Sequence, residues 1–484
     1  MVAPPPLESD SSGRSKESTN GPVDSPSLTT HDDEENFRNH YIGIGAGEPV
    51  RTRSSAPAMI SSRTEQGMLA DDEEKGKIGL KMAVKRKVLH FTPSWFSVTM
   101  GTGVISSLLN LLGQIWGTEK YSPTFASFVR WPALVFLILD IAIFIVFSAF
   151  FLSRYYMFPQ VLPLTIKHSQ KSMFLGTLPM GLLTVTTNIC QLGTTSFGLG
   201  DWPTFVALGL WFFCCALSTV VAIGVPWSIV TYQKEHRFEA TTAALLLPVV
   251  PPITAAATGS VITEHLLEKY PTLAFVVWNV SFMQLGIGLP LALMILVLYL
   301  QRLILFKVPP REVIVSVFLP LGPCGQGGEA ALHLGRTALT LFPSISSAPG
   351  SGVPQLTFGV GQAIYGAGLI TALMLFALGV WWMILGAGTF FREWKSGELT
   401  FNMGWWSFTF PLASLAICTA RLAMELNSLT LKIIYTAFAV LNFCLWVSVA
   451  LPTFKGFFSG SLLIAPCIAD LPLDPLAPKL PESK

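Results

Sequence analysis

Read for polarity alone, the chain changes character near residue 88. Before it, polar and charged positions dominate and apolar residues rarely cluster. After it come ten apolar segments, at about 92–114, 131–152, 173–193, 203–230, 240–262, 272–301, 312–341, 359–388, 404–424 and 431–453. Several exceed the roughly 20 residues that a helix needs to cross a bilayer, and 359–391 carries no charge at all. The pattern predicts an all-α membrane protein of ten transmembrane helices. It divides into a disordered cytoplasmic tail at 1–88, a transmembrane domain at 89–455 and a cytoplasmic C-terminal tail at 456–484. The weakest segment is the seventh, whose second half holds Glu329, His333 and Arg336.

Alternate segments share a defect. Leu178-Pro179-Met180, Leu247-Pro248-Val249, Leu319-Pro320-Leu321 and Phe410-Pro411-Leu412 are apolar-Pro-apolar triplets in charge-free surroundings, and the first segment has Met100-Gly101-Thr102-Gly103 instead. Proline and glycine interrupt an ordinary helix. In hydrocarbon, freed backbone groups are tolerated only when buried in protein or lining a wet cavity. Five interrupted segments alternating with five smoother ones form an internal repeat. It predicts five helical hairpins whose interrupted members line one axis, with Val317–Gly328, the richest in proline and glycine, facing that axis.

Composition sharpens the class. Of 484 residues, 51% are hydrophobic and 12% charged, about half the charge of a soluble domain. By position, 26 of the 60 charged residues fall in the first 90. The net charge of +2 and the lack of a basic, aromatic-laced groove point to no nucleic acid. Seven cysteines, mostly in apolar segments and without CxxC or Cys/His spacing, read as buried thiols and not as metal ligands or disulfides. No GxxxxGK[ST], HExxH or GxSxG pattern is present, which argues against ATP-driven pumping and against an enzyme. No cofactor is expected.

Charge also orients the chain. A basic cluster, Lys75, Lys77, Lys81, Lys85, Arg86 and Lys87, precedes the first segment, which favours a cytoplasmic N-terminus beside anionic lipid. Ten spans return the C-terminus to the same side. The loops then assigned to the cytoplasm hold ten Lys and Arg, including Arg154 and Arg302, against six outside. The outer loop at 342–358 is rich in Ser, Gly and Pro and reads as mobile. Serines such as Ser11, Ser12, Ser54 and Ser55 are phosphorylation candidates in a solvated tail.

Fixed charges in the spans are few. Asp140 lies in a smoother segment and is expected to pack against a neighbour's hydroxyl or backbone. Glu329, His333 and Arg336 share one helical face, as a polar relay at the outer mouth or as a salt-bridged helix end. Arg421 and Glu425 have the spacing of an i,i+4 pair. An almost uncharged pore attracts anions through helix N-termini and exposed N–H groups. Gly101, Gly103, Gly176, Gly181, Gly322 and Gly325 are the candidates for close backbone approach, or for plain helix packing. Thr99, Thr102, Thr177 and Thr409 offer hydroxyls. Met100, Leu178, Pro179, Leu247, Pro248, Leu319, Pro320 and Pro411 complete the expected lining.

Three stretches resemble a known family. Pro93-Ser94-Trp95-Phe96-Ser97-Val98-Thr99-Met100-Gly101-Thr102-Gly103 resembles the first span of the fungal sulfite efflux pumps. Pro310 to Pro323, PREVIVSVFLPLGP, with Gly325-Gln326-Gly327-Gly328 is similar to their most specific stretch, and Gly404-Trp405-Trp406-Ser407-Phe408-Thr409-Phe410-Pro411 to their ninth span. These pumps belong to the tellurite-resistance and dicarboxylate transporter family, with fungal malate carriers and plant slow anion channels. The resemblance covers about 88–455. It implies five hairpins in a pseudo-fivefold array around a central pore, homotrimers in the plasma membrane, and a phenylalanine gate that falls on Phe410. It also implies sulfite or bisulfite as substrate, with a malate or other dicarboxylate carrier or an anion channel of the same fold as the alternative. Glu329 and His333 depart from the neutral residues expected there, which bears on selectivity. A receptor or sensor would favour seven spans and a signalling domain.

Overall fold

Helices occupy every one of the ten apolar segments. In chain order they are α1 (Phe96–Trp116), α2 (Pro123–Met157), α3 (Thr177–Cys190), α4 (Trp202–Tyr232), α5 (Val250–Leu266), α6 (Pro271–Phe306), α7 (Leu321–Ser346), α8 (Phe358–Lys395), α9 (Thr409–Glu425) and α10 (Leu429–Ser459). This computed structural model describes residues 82–233, 237–346, 357–397, 399–463 and 465, all within one compact unit, Ala70–Lys484. No strand occurs among the described residues. Eight helices are long and apolar enough to cross a membrane. The two below that mark are α5, with 17 residues, and α7, whose Gln326, Glu329, His333 and Arg336 dilute its apolar run.

The helices alternate between inner and outer positions. Two-thirds or more of the apolar stretch is buried in α1, α3 and α9 (67–89%), against 22–44% in α2, α4, α6, α8 and α10. Nearly every residue of α5 and most of α7 is buried too. The outer helices point large apolar side chains outward, among them Ile138, Phe213, Met294, Met374 and Val440. Such a surface is stable against lipid and not against water.

The inner segments share one construction. Each opens with a short 3-10 stretch and then becomes α-helical: Pro93–Trp95 before α1, Met173–Gly176 before α3, Ala243–Leu246 before α5, Arg311–Phe318 before α7 and Met403–Ser407 before α9. Pro179, Pro251, Pro252, Pro323 and Pro411 then fall in the first α-turn. There the missing N–H removes no α-helical bond. The proline marks a 3-10-to-α junction and not a gap. The outer helices also hold prolines, Pro132, Pro226, Pro290 and Pro452, inside continuous α-helix. The inner α7 also holds Pro343 inside its helix, so the mark of α3, α5, α7 and α9 is the proline in the first α-turn.

Polar side chains tie outer helices to inner ones. Trp211 Nε1 donates to Ala255 O at 2.7 Å, Trp278 Nε1 to Leu334 O at 3.0 Å and Asn442 Nδ2 to Thr409 O at 2.7 Å. Asp140 takes the expected role: it is fully buried, and Oδ2 accepts from Thr184 Oγ1 at 3.3 Å. Two arginines assigned to loops are buried clamps instead. Arg154 Nε donates to Leu89 O at 2.9 Å, and Arg302 donates to Glu239 O and Lys307 O.

Boundaries shift in three places. Residues 82–90 are helical, and α10 runs past 455 to Ser459. The stretch 342–346 continues α7, while 347–356 of the expected outer loop lies outside the described residues. The tail serines, Lys75, Lys77, Lys81 and nearly all of 456–484 beyond Leu463 also lie outside them.

Candidate permeation site

The junctions meet around Phe410. Two internal cavities, each of about 30 Å³, lie among the inner helices, and Phe410 is the residue that lines both. Each has room for about two waters. One cavity borders the 3-10-to-α junctions. Its walls are Met100, Met180, Leu247, Val250, Leu319, Gly322 and Pro411, with Ser97 and Ser407 as its hydroxyls. The other lies farther along the same five helices and is far more polar: Ser107, Thr184, Thr187, Gln191, Thr254, Thr258, Gln326 and Glu329 face it. In each inner helix except at Phe410 itself, the lining residues of the polar cavity come later in the chain than those of the apolar one. A much larger depression, about 1080 Å³, lies between α8, Trp405 and α10 on apolar side chains and shares no residue with either cavity.

Phe410 is 3% exposed and packs in a cluster with Met100, Met180, Leu247, Val250 and Leu319. Its carbonyl accepts from Ser414 Oγ at 2.9 Å, and Ser414 Oγ in turn accepts from Gln326 Nε2 at 3.1 Å. The ring therefore sits on a braced turn between an apolar space and a hydroxyl-lined one.

Of the expected lining, Met100, Leu247, Leu319, Gly322, Phe410 and Pro411 do face these cavities. The others serve packing. A Cβ at Gly101 would stand 2.5 Å from Thr409 Oγ1 and from the Trp406 ring; one at Gly103 would strike Asp140 and Thr184. Gly176 lies on the Leu247 carbonyl, Gly181 on Thr99 and Gly325 on the Ser414 backbone. Only Gly322 among the six opens onto free space. Leu178 points away, against the cluster of Phe91, Trp95 and Phe96. Met180, two residues and about 200° around the helix, takes its place. Pro179, Pro248 and Pro320 are buried at the junctions without lining a cavity.

Four backbone N–H groups at the junctions are occupied. Leu247 N donates to Ala244 O at 2.9 Å, Leu319 N to Ser316 O at 3.0 Å, Gly322 N to Leu319 O at 3.0 Å and Phe408 N to Trp405 O at 3.1 Å. The 3-10 stretches thus take up donors that a bare helix start leaves open. Thr99, Thr102, Thr177 and Thr409 likewise donate to backbone carbonyls, of Phe96, Val98, Phe174 and Trp406. The hydroxyls that face the polar cavity are Ser107, Thr184, Thr187, Thr254 and Thr258. Thr187 and Thr258 share a hydrogen bond of 2.8 Å between α3 and α5. Their signal in the sequence is a hydroxyl or amide repeated every three or four residues beyond the junction.

The ionisable residues of α7 do not bond along one helix. His333 meets Glu264 on α5, Glu329 meets Arg421 on α9, and Arg336 meets Glu425. The expected Arg421–Glu425 pair is replaced by these contacts between helices.

Residues 90–454 match the family described as voltage-dependent anion channel, SLAC1. The chain belongs to that family. Among SLAC1-family relatives, it is 34% identical to the sulfite efflux pump SSU1 of Arthroderma benhamiae and 35% identical to that of Trichophyton rubrum. Each comparison runs over 386 residues, 79% of this chain and 96% of the relative. The malic acid transport protein of Schizosaccharomyces pombe is 22% identical over 387 residues, 78% of this chain and 81% of the relative. These relatives are named as transporters, in keeping with a non-enzymatic chain.

Proposed function

We propose that the protein exports sulfite across the plasma membrane. The observation that carries this reading is the 34–35% identity to sulfite efflux pumps over 96% of their length. The pathway proposed is the line through the two cavities. Five hairpins, ten transmembrane helices in all, stand in a pseudo-fivefold array, and α1, α3, α5, α7 and α9 surround it. The shared order of lining residues along all five supports parallel inner helices.

The chemistry follows from the walls. Sulfite and bisulfite offer oxygen acceptors, and the amides of Gln191 and Gln326 face the polar cavity as donors. Its hydroxyls must turn from the internal acceptors they hold here: Asn188 for Ser107, Gly181 O for Thr184, Leu183 O for Thr187 and Val250 O for Thr254. Neutral donors bind an oxyanion weakly enough to release it, which conduction requires. Phe410 separates the cavities, and an apolar ring there forces an ion to shed water. Passage requires the ring to move. The assembly proposed is a homotrimer in the bilayer with both termini cytoplasmic. The basic side chains of Lys85, Arg86 and Lys87 before α1 support that orientation. The residues before the helix at 82–90 and those beyond α10 are proposed as cytoplasmic tails of the transmembrane domain, close to the expected limits of 88 and 456.

The 22% identity to a malic acid transport protein supports a second reading, a dicarboxylate carrier on the same fold. Deleting the gene in its native cell separates them. The sulfite reading expects higher intracellular sulfite and greater sulfite sensitivity. Unchanged sulfite tolerance with lost malate flux transfers the assignment to the carrier.

A further inference from the structure

Past Phe410, the helical stripes that line the polar cavity on three helices continue into ionisable residues: Glu329 in the wall itself, and Glu264, His333 and Arg421 one to two turns beyond the lining residues. On α7 the stripe reads Gly322, Gln326, Glu329, His333, at i, i+4, i+7 and i+11. On α9 it reads Phe410, Ile417, Arg421, at i, i+7 and i+11. On α5 Ala257 is followed seven residues later by Glu264.

The two carboxylates are held differently. Glu264 Oε2 lies 2.9 Å from His333 Nε2, whose Nδ1 is 3.0 Å from Ser260 Oγ. Glu329 lies beside Arg421 at 3.7 Å from Nε, an ion pair too long for a hydrogen bond. Nε and Nη2 of Arg421 are fully buried and have no acceptor. These two nitrogens form one edge of the guanidinium, the edge that grips two oxygens of an oxyanion side by side. Arg336, the other cation nearby, is committed to Glu425 at 2.7 Å, and Glu425 also accepts from Tyr365. A guanidinium edge with no hydrogen-bonded acceptor therefore stands one helical turn beyond Ile417 in the cavity wall, facing Glu329, which itself lines the cavity.

We infer that Arg421 is an anion ligand of the pathway and that Glu329 is its tethered competitor. An oxyanion crossing the polar cavity takes the Nε–Nη2 edge, and the Glu329 carboxylate gives way to it. The site lies eleven residues, about 16 Å, along α9 from Phe410, so it acts on affinity and selectivity and not on the gate. The inference rests on the sulfite reading above.

Sulfite uptake into proteoliposomes, measured against sulfite concentration, tests it. Arg421→Gln alone leaves a buried carboxylate unpaired, so the charge-balanced double variant Arg421→Gln/Glu329→Gln is the informative one. It should raise the half-saturating concentration at least tenfold. Glu329→Gln alone should lower it at least twofold. A folded double variant that saturates within twofold of wild type overturns the inference while leaving the sulfite reading intact, as does a Glu329→Gln variant that needs more sulfite. Wild-type vesicles without sulfite flux overturn both.

Discussion

Side chains that fill space and side chains that leave it open have opposite tolerance to change. Gly322 has nothing within 4 Å of where a Cβ would stand, in the wall of the apolar cavity. Gly322→Ala should therefore fold normally, and Gly322→Leu, which fills a space of about two waters, should cut anion flux at least tenfold. Gly101 stands against Thr409 and Trp406. Gly101→Ala should overpack that contact and cost about 1–3 kcal/mol, read as a lower Tm in detergent. Equal flux in Gly322→Leu and wild type would place the pathway elsewhere. Phe410 was legible in the sequence because it is the largest of the residues that precede a junction proline. Thr187 and Thr258 were not, because which face of α3 or α5 meets the axis depends on where 3-10 winding gives way to α. Leu178 shows the same limit: a register set by Thr177 as the first α residue turns it outward and brings Met180 in.

At the scale of elements, proline repeats located the inner helices, while local winding decided what the prolines do. A 3-10 stretch ahead of each helix occupies N–H groups that a sequence argument leaves free for an anion. The proposed anion contacts therefore fall to side-chain amides, hydroxyls and one arginine, and not to the backbone. Helix ends were less legible than helix centres. The outer helices run several residues beyond their apolar cores, as α8 does to Lys395, because polar residues at an interface cost a helix little. Arg302 illustrates the difficulty. It reads as a loop charge, yet it is 4% exposed and fastens the start of the inner α5 segment to the end of α6 through Glu239 O and Lys307 O. Hydrogen bonds to a charged group contribute about 1.5–3 kcal/mol each. Arg302→Ala should therefore lower the unfolding temperature by several degrees with the gate unaltered; an unchanged Tm would show the clamp to be dispensable.

For the whole molecule, alternation is the organising fact. Buried and exposed helices succeed one another along the chain, so each apolar outer surface is continuous with a buried inner one. The overall class was legible because hydropathy and charge placement act over whole segments. Contacts among Glu264, His333, Glu329 and Arg421 join α5, α7 and α9, and no pattern local to one helix encodes them. The orientation proposed has a direct check: an epitope tag at residue 5 or 480 should stay unlabelled on intact cells and become labelled after permeabilisation. Labelling of intact cells at either tag would reverse the assignment for that terminus.

A sulfite pathway closed by Phe410 is tested most directly by one flux assay. Wild-type and Phe410→Ala proteins, matched for yield and particle size, are placed in liposomes, and sulfite and malate fluxes are compared. Sulfite flux in wild type should exceed that of empty vesicles and that of malate, and should rise severalfold in Phe410→Ala. Core packing alone would instead cost about 3–5 kcal/mol on loss of the ring, with lower yield and no gain in flux. A well-folded Phe410→Ala protein whose sulfite flux does not exceed wild type would contradict the gate, and wild-type vesicles that pass malate but not sulfite would contradict the substrate.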